Sequence, residues 1–362
     1  MENRNCSARA FSDEVRKKGS RNAAPKSDIG DTSGNNPPAR NLLPTKTPYP
    51  EEKFTAGSGG LGGHDVRRNE PVEEHWVELP DGRMRYLKVG SGPALILIHG
   101  LLGYAFSWRF TMPALAPYAT VYAIDNLGAG FSAASEGIDC SVGATAERVL
   151  QFADAIGIRQ FDVVGTSHGG GVAIMTAAIS RQRSESRVRR LILVAPVNPW
   201  SPHGRQLAPF IGSALGSMLF QNTVARWRFF DYVWLSRMFG DSAKIPPDSL
   251  NGYRMPVLEN NALLYGSRVV KSWTADIAAL EKALSQIRDY PTLLMWGTKD
   301  RAVDFRSAEP LLRNFSNVRL VKFEGVGHLP YEEAPTEFNS ALVSFLSGDS
   351  GFSSQFSVPG SQ

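Results

Sequence analysis

The sequence predicts a mostly parallel, doubly wound α/β sheet with a helical cap inserted late in the chain. Three observations carry this expectation. Short apolar runs recur at Ala94 to Ile98, Thr120 to Ile124, Phe161 to Val164, Leu191 to Val194, Thr292 to Met295 and Val318 to Phe323. Each fits a strand buried on both faces. Helical patterns separate the runs, as strand–helix–strand crossovers require. The alternation fails once, between Pro196 and about Arg288, where aromatic residues crowd and no buried-strand run occurs.

Taken in order, His75 to Leu79 and Met84 to Val89 read as an antiparallel edge pair, with Asp81-Gly82 as a hairpin signal. A helix from about Ser141 to Ile156 should stop at Gly157, a residue suited to the left-handed turn after a helix. In the last helix Phe338, Ala341, Leu342, Phe345 and Leu346 fall on one face at i, i+3, i+4, i+7 and i+8. Residues 71–196 and 289–347 thus form the two parts of the sheet domain, and 197–288 the cap. Residues 1–70 read as a disordered tail: Gly57 to Gly63 alone holds five glycines, and the segment has too little apolar surface to offset ordering entropy. Residues 348–362 read as a second, flexible tail.

The composition excludes several classes. The 362 residues carry a net charge of +4. Residues 1–70 hold 12 Lys/Arg against 9 Asp/Glu, leaving 27 against 26 in the remainder. The body is nearly neutral and has no basic footprint for nucleic acid. No apolar run is long enough for a transmembrane segment. The N-terminus lacks the apolar core of a secretory signal, and the two cysteines, Cys6 and Cys140, read as free thiols; both suggest a cytoplasmic location.

The chemistry centres on Gly165-Thr166-Ser167-His168-Gly169, a G-x-S-x-G sequence directly after one apolar strand and opening the helix through Val172 to Ala178. A sharp strand-to-helix reversal exposes the middle side chain, and small neighbours let the backbones fit. Ser167 is therefore the expected nucleophile. It needs a base. His328, in Gly325-Val326-Gly327-His328-Leu329-Pro330 after the strand ending near Phe323, is the expected one. The acid that orients the imidazole is expected to be Asp300, after the strand at Thr292 to Met295, with Asp304 as its rival. The loop after Val194 offers only the uncharged Asn198.

The order Ser, Asp, His together with these contexts resembles the α/β-hydrolase family, in its subgroup with a helical cap, over about residues 72–347. His99-Gly100-Leu101 resembles that family's oxyanion loop. The resemblance implies an oxyanion hole made by the N–H groups of Leu101 and His168, with His99 holding its loop by hydrogen bonds. Asp125 to Ser132 resembles the loop after the fourth strand, with Asn126 where the family often has arginine. Epoxide hydrolases and haloalkane dehalogenases of this fold use an aspartate nucleophile to attack saturated carbon, whereas a serine attacks a carbonyl. The expectation is a serine hydrolase acting through an acyl-enzyme on a small apolar ester or similar acyl bond. No cofactor and no metal are expected. A C–C bond hydrolase, a perhydrolase of the same fold and a ligand receptor retaining the triad remain alternatives. The oligomeric state stays open.

Overall fold

The computed structural model describes residues 70–185, 187–201, 208–226, 228–259, 262–348 and 355–356. The expected tail over 1–70 lies outside these residues except for Glu70. Nine strands form one sheet in the order β1-β2-β4-β3-β5-β6-β7-β8-β9. They are β1 (Glu73–Leu79), β2 (Gly82–Val89), β3 (Ala94–Ile98), β4 (Thr120–Ile124), β5 (Phe161–Thr166), β6 (Val188–Val194), β7 (Thr292–Gly297), β8 (Val318–Phe323) and β9 (Gln355–Phe356). Only the β1–β2 and β2–β4 pairings are antiparallel. The two-residue turn between β1 and β2 is Pro80-Asp81, because Leu79 pairs with Gly82. Gly82 itself opens β2 at φ +147°, where a Cβ would lie 2.3 Å from the Ala133 carbonyl oxygen. The flexible tail expected over 348–362 is amended at two residues: Gln355 and Phe356 pair with Lys322 and Phe323 and extend the sheet.

Eleven α-helices lie among the described residues. The first are α1 (Met112–Leu115), α2 (Val142–Ala155) and α3 (His168–Gln182). Between β6 and β7 come α4 (Ala208–Ile211), α5 (Ala214–Arg226), α6 (Arg228–Met238), α7 (Ser249–Glu259) and α8 (Ala262–Gln286). The chain closes with α9 (Ala308–Leu312), α10 (Pro330–Glu333) and α11 (Pro335–Ser347). Helix α2 is bounded as its sequence dictates. The Ser141 hydroxyl accepts from the Ala144 N–H at its start, and Gly157 takes φ +75° beyond its end.

Strand alternation sends side chains to opposite faces. Ile96, Ile98, Val163, Leu193, Leu294 and Trp296 share one core with Val149 and Phe152 of α2, Val172 and Ala177 of α3, and Val269, Leu280 and Leu284 of α8. On the other face Phe323 meets Phe338 of α11, ring centroids 6.2 Å apart. Each such buried side chain contributes about 1.5–3 kcal/mol by leaving water. Helix α8 therefore serves two masters: it belongs to the inserted helical segment in sequence, while Leu280 and Leu284 pack in the sheet domain's core.

One buried carboxylate fixes the loops at the carboxyl ends of the strands. Asp125 Oδ1 accepts from the Ala105 N–H at 2.7 Å, and its Oδ2 accepts from Phe131 N–H at 3.0 Å and Arg85 at 3.1 Å. Gly130 sits at φ +56°, where a Cβ would lie 2.4 Å from Asp125 Oδ2. The loop from Asp125 to Ser132 is thus architectural, and it anchors the segment that follows His99.

Candidate active site

Ser167 stands between β5 and α3 at φ 53° and ψ −120°, a conformation rare for a residue with a side chain. Its surroundings hold it there. The Ser167 N–H donates to the Val194 carbonyl at 2.9 Å, and its own carbonyl accepts from Gly170 and Val197. A Cβ on Gly165 would lie 2.2 Å from the Gly169 carbonyl oxygen, and one on Gly169 would lie 2.3 Å from that of His99. Only glycine permits strand, helix and the neighbouring loop to approach so closely. Strain of this kind typically costs about 1–3 kcal/mol and persists where the surrounding packing over-determines it.

His328 follows β8 and Asp300 follows β7. His328 Nδ1 lies 2.7 Å from Asp300 Oδ2, and both side chains are buried. Asp300 Oδ1 accepts from the Ala302 and Val303 N–H groups at 2.7 and 2.9 Å, so the carboxylate cannot rotate away. The rival Asp304 instead caps the turn at Arg306 and pairs with that exposed arginine. Asn198 commits its side chain to Pro196, Trp200 and Ser307. The geometry therefore brings Asp300, and not Asp304, to the histidine.

Ser167, His328 and Leu101 line one cavity of about 180 Å³. The glycine before Leu101 approaches the serine, since a Cβ on Gly100 would lie 3.1 Å from Ser167 Cβ. His168 is the first residue of α3, so its N–H has no acceptor within the helix. Its imidazole is buried, and neither ring nitrogen has a partner among the described residues. Burial, then the neighbouring His99, pushes the His168 pKa down to about 3. His99 is also lowered, chiefly by burial. Its Nδ1 donates to the Gly100 carbonyl at 2.7 Å and its Nε2 accepts from the Asn126 N–H at 3.1 Å. A neutral His99 thus ties the turn at Gly100 to the loop at Asn126.

The inserted helices supply the far wall: Trp234 and Met238 of α6, Tyr253 of α7, Trp273 and Ile277 of α8. Of the aromatic residues concentrated between positions 227 and 239, Trp234 lines the cavity, Phe239 is buried away from it and Tyr232 is exposed. Trp227 and the side chains of Phe229 and Phe230 lie outside the described residues.

The sequence did not mark a buried polar network at one wall. Glu332 Oε2 accepts from Arg109 at 3.1 Å and from the Ser249 hydroxyl at 3.2 Å, while its Oε1 accepts from the Tyr253 hydroxyl. Tyr253 and Ser107 are 3.1 Å apart, oxygen to oxygen. The signal available beforehand was the carboxylate pair Glu332-Glu333 just past His328. Carboxylates so close to an apolar strand end need partners.

The strand order and the strand–serine–helix elbow define the class as that of the α/β hydrolases. Residues 93–335 match the alpha/beta hydrolase fold family, and the chain belongs to it. Haloalkane dehalogenase 2 of Mycobacterium bovis is 26% identical over 283 residues, which cover 75% of this chain and 94% of that protein. Among solved structures, a membrane phospholipase A described as a bacterial virulence factor superposes with a TM-score of 0.64 at 26% identity, covering 76% of this chain and 86% of that one. The meta-cleavage product hydrolase CumD, in a variant form, superposes with a TM-score of 0.60 at 25% identity, covering 76% and 98%. No helix among the described residues is long and apolar enough to cross a membrane.

Proposed function

We propose that the protein is a serine hydrolase that cleaves a carboxylic ester of a small, neutral, largely apolar molecule. The observation that carries this reading is the strained Ser167 sharing a cavity with His328, whose Nδ1 is held by Asp300. With Nδ1 committed to the carboxylate, Nε2 is the nitrogen left to receive a proton. Ser167 Oγ attacks the ester carbonyl carbon as its proton passes to His328. The carbonyl oxygen takes the negative charge, and the N–H groups of Leu101 and His168 stabilise it. His328 then protonates the departing alcohol, leaving an acyl-serine. Water, deprotonated by His328, releases the acid and restores the serine. A seated haloalkane would meet an oxygen nucleophile that needs a base, so the likeness to the dehalogenase is taken as one of fold.

The likeness to CumD favours a second reading, cleavage of a C–C bond beside a carbonyl by the same residues. The cavity supports the ester reading over it. Among the described lining residues none is lysine or arginine, so an anionic substrate would lose hydration without gaining a partner. An engineered apolar cavity of ~150 Å³ holds benzene, so this one suits a ring or a short chain. The inserted helices act as a cap that sets this size. The test is a fluorophosphonate probe run beside p-nitrophenyl esters of increasing chain length. Labelling of Ser167 and its loss in Ser167→Ala are expected. Full labelling of Ser167→Ala, or turnover of a dienoate in preference to every ester, overturns the reading.

A further inference from the structure

Where the inserted helix α7 meets the loop after β3, the polar side chains of Tyr253 and Ser107 both line the cavity. The protons there are shared asymmetrically. Arg109, held between the Phe106 and Phe110 rings at 4.0 and 4.3 Å, donates to Glu332 and to the Ser249 hydroxyl. Ser249 in turn gives its proton to Glu332. The single Tyr253 proton goes to the strongest acceptor in reach, the Glu332 carboxylate. Burial first, and the Glu332 charge second, raise the Tyr253 pKa well above its ordinary value, so the phenol keeps that proton. The phenol oxygen can then only accept from Ser107, 3.1 Å away. Ser107 Oγ has its proton committed and two lone pairs that no described donor fills.

We infer that Ser107, oriented by Tyr253 and Glu332, is a binding subsite for a hydroxyl or N–H donor on the group that fills the cavity. This rests on the same cavity as the ester reading and narrows its substrate to one carrying a hydroxyl or amide N–H on an otherwise apolar group. A ligand donor completes the chain from ligand to Ser107, Tyr253 and Glu332, each hydroxyl polarising the next. A ligand that can only accept finds the Ser107 proton already engaged and gives up its water for no return.

Equilibrium binding tests this without any turnover. Isothermal titration calorimetry compares phenol (a donor), benzene (neither) and pyridine at alkaline pH (an acceptor only) against the wild-type chain, Ser107→Ala and Tyr253→Phe. The wild type should bind phenol about three- to tenfold more tightly than benzene, the range for one neutral hydrogen bond, and pyridine most weakly. In Ser107→Ala the ratio of phenol to benzene affinity should fall to about one. Tyr253→Phe frees the Ser107 proton, so pyridine should gain on benzene there; this arm decides the matter even if the alanine variant does not fold. Phenol no tighter than benzene in the wild type, a phenol preference that survives Ser107→Ala, or no gain for pyridine in Tyr253→Phe overturns the subsite. A wild type that ranks these ligands as stated but cleaves no ester overturns the hydrolase reading and leaves the subsite standing.

Discussion

The His328 N–H donates to the Met238 carbonyl at 2.6 Å, so the end of an inserted helix holds the histidine loop directly. Three segments meet there at glycine distances. A Cβ on Gly327 would lie 2.4 Å from the Met238 oxygen and 2.5 Å from the Gly240 nitrogen, and one on Gly297 would lie 2.0 Å from the Gly327 oxygen. Gly327→Ala must therefore push the His328 loop away from α6. We expect a loss on the order of 10²-fold in kcat, the scale set by misplacing a catalytic group by about 1 Å. Steady-state kinetics and the rate of fluorophosphonate labelling check this together. Unchanged rates of both would show that the loop position is immaterial.

The same loop depends on a second anchor. Glu333 accepts from three main-chain N–H groups: Gly327 and Gly240, each at 2.8 Å, and Asp241 at 2.9 Å. Glutamine keeps only one acceptor oxygen and turns an NH₂ group toward main-chain donors. Glu333→Gln should lower unfolding free energy by about 1–3 kcal/mol, read as a shift of the urea midpoint. A midpoint equal to that of the wild type would show that the carboxylate is dispensable.

Asp300→Asn should reduce turnover by about 10³–10⁴-fold by favouring the wrong imidazole tautomer, whereas Asp304→Asn should leave it within a few-fold. Asp304 is 2.5 Å from Arg306 Nη2 and takes no part in the histidine's hydrogen bonding. Its loss should appear in thermal stability and not in kcat. A reversal of the two effects on turnover would assign the acid to Asp304.

Much of this geometry was legible in the sequence because burial on both faces leaves a strand no freedom in composition. The runs Ala94 to Ile98 and Thr120 to Ile124 coincide with β3 and β4 residue for residue. Val318 to Phe323 coincides with β8, but that strand is not buried on both faces as expected: only Val321 and Phe323 are buried, and Arg319 and Lys322 are half-exposed near the edge of the sheet. The elbow was legible for a related reason: glycine at 165 and 169 is forced by backbone contacts that no other residue survives. The hairpin was legible from Asp81-Gly82, but not the residues of its turn, which are Pro80-Asp81. Asp81-Gly82 looks like a two-residue turn, yet Gly82 is needed at the first paired position because Ala133 leaves no room for a Cβ. The wall of the cavity was not legible. Ser107 and Arg109, Tyr253, and Glu332 come from three distant segments, and only their tertiary arrangement makes them one network. Helix α8 falls within the 197–288 stretch that reads as cap, yet Leu280 and Leu284 pack in the sheet domain's core, a partner that only the tertiary arrangement reveals.

The main chain and the side chain of His168 do separate things. The N–H at the start of α3 is the group proposed to face the oxyanion. The imidazole is buried with no hydrogen-bond partner among the described residues, and burial, then the neighbouring His99, pushes its pKa down to about 3 from an ordinary 6.5. Between those two values the unfolded chain binds a proton at this position that the folded chain does not. Stability therefore rises with pH across that window and is lost as pH falls through it. The slope is up to ~1.4 kcal/mol per pH unit for one such group. His99 is shifted in the same direction and steepens the fall. His168→Met replaces the imidazole by an apolar side chain of similar size and keeps the N–H. From about pH 6.5 down to about pH 5, above most carboxylate titrations, the variant should lose roughly 2 kcal/mol less than the wild type. Urea unfolding at a series of pH values measures this, and fluorophosphonate labelling of the variant verifies that the elbow is intact. Parallel stability curves for the two proteins would mean that the buried imidazole is protonated in the fold after all.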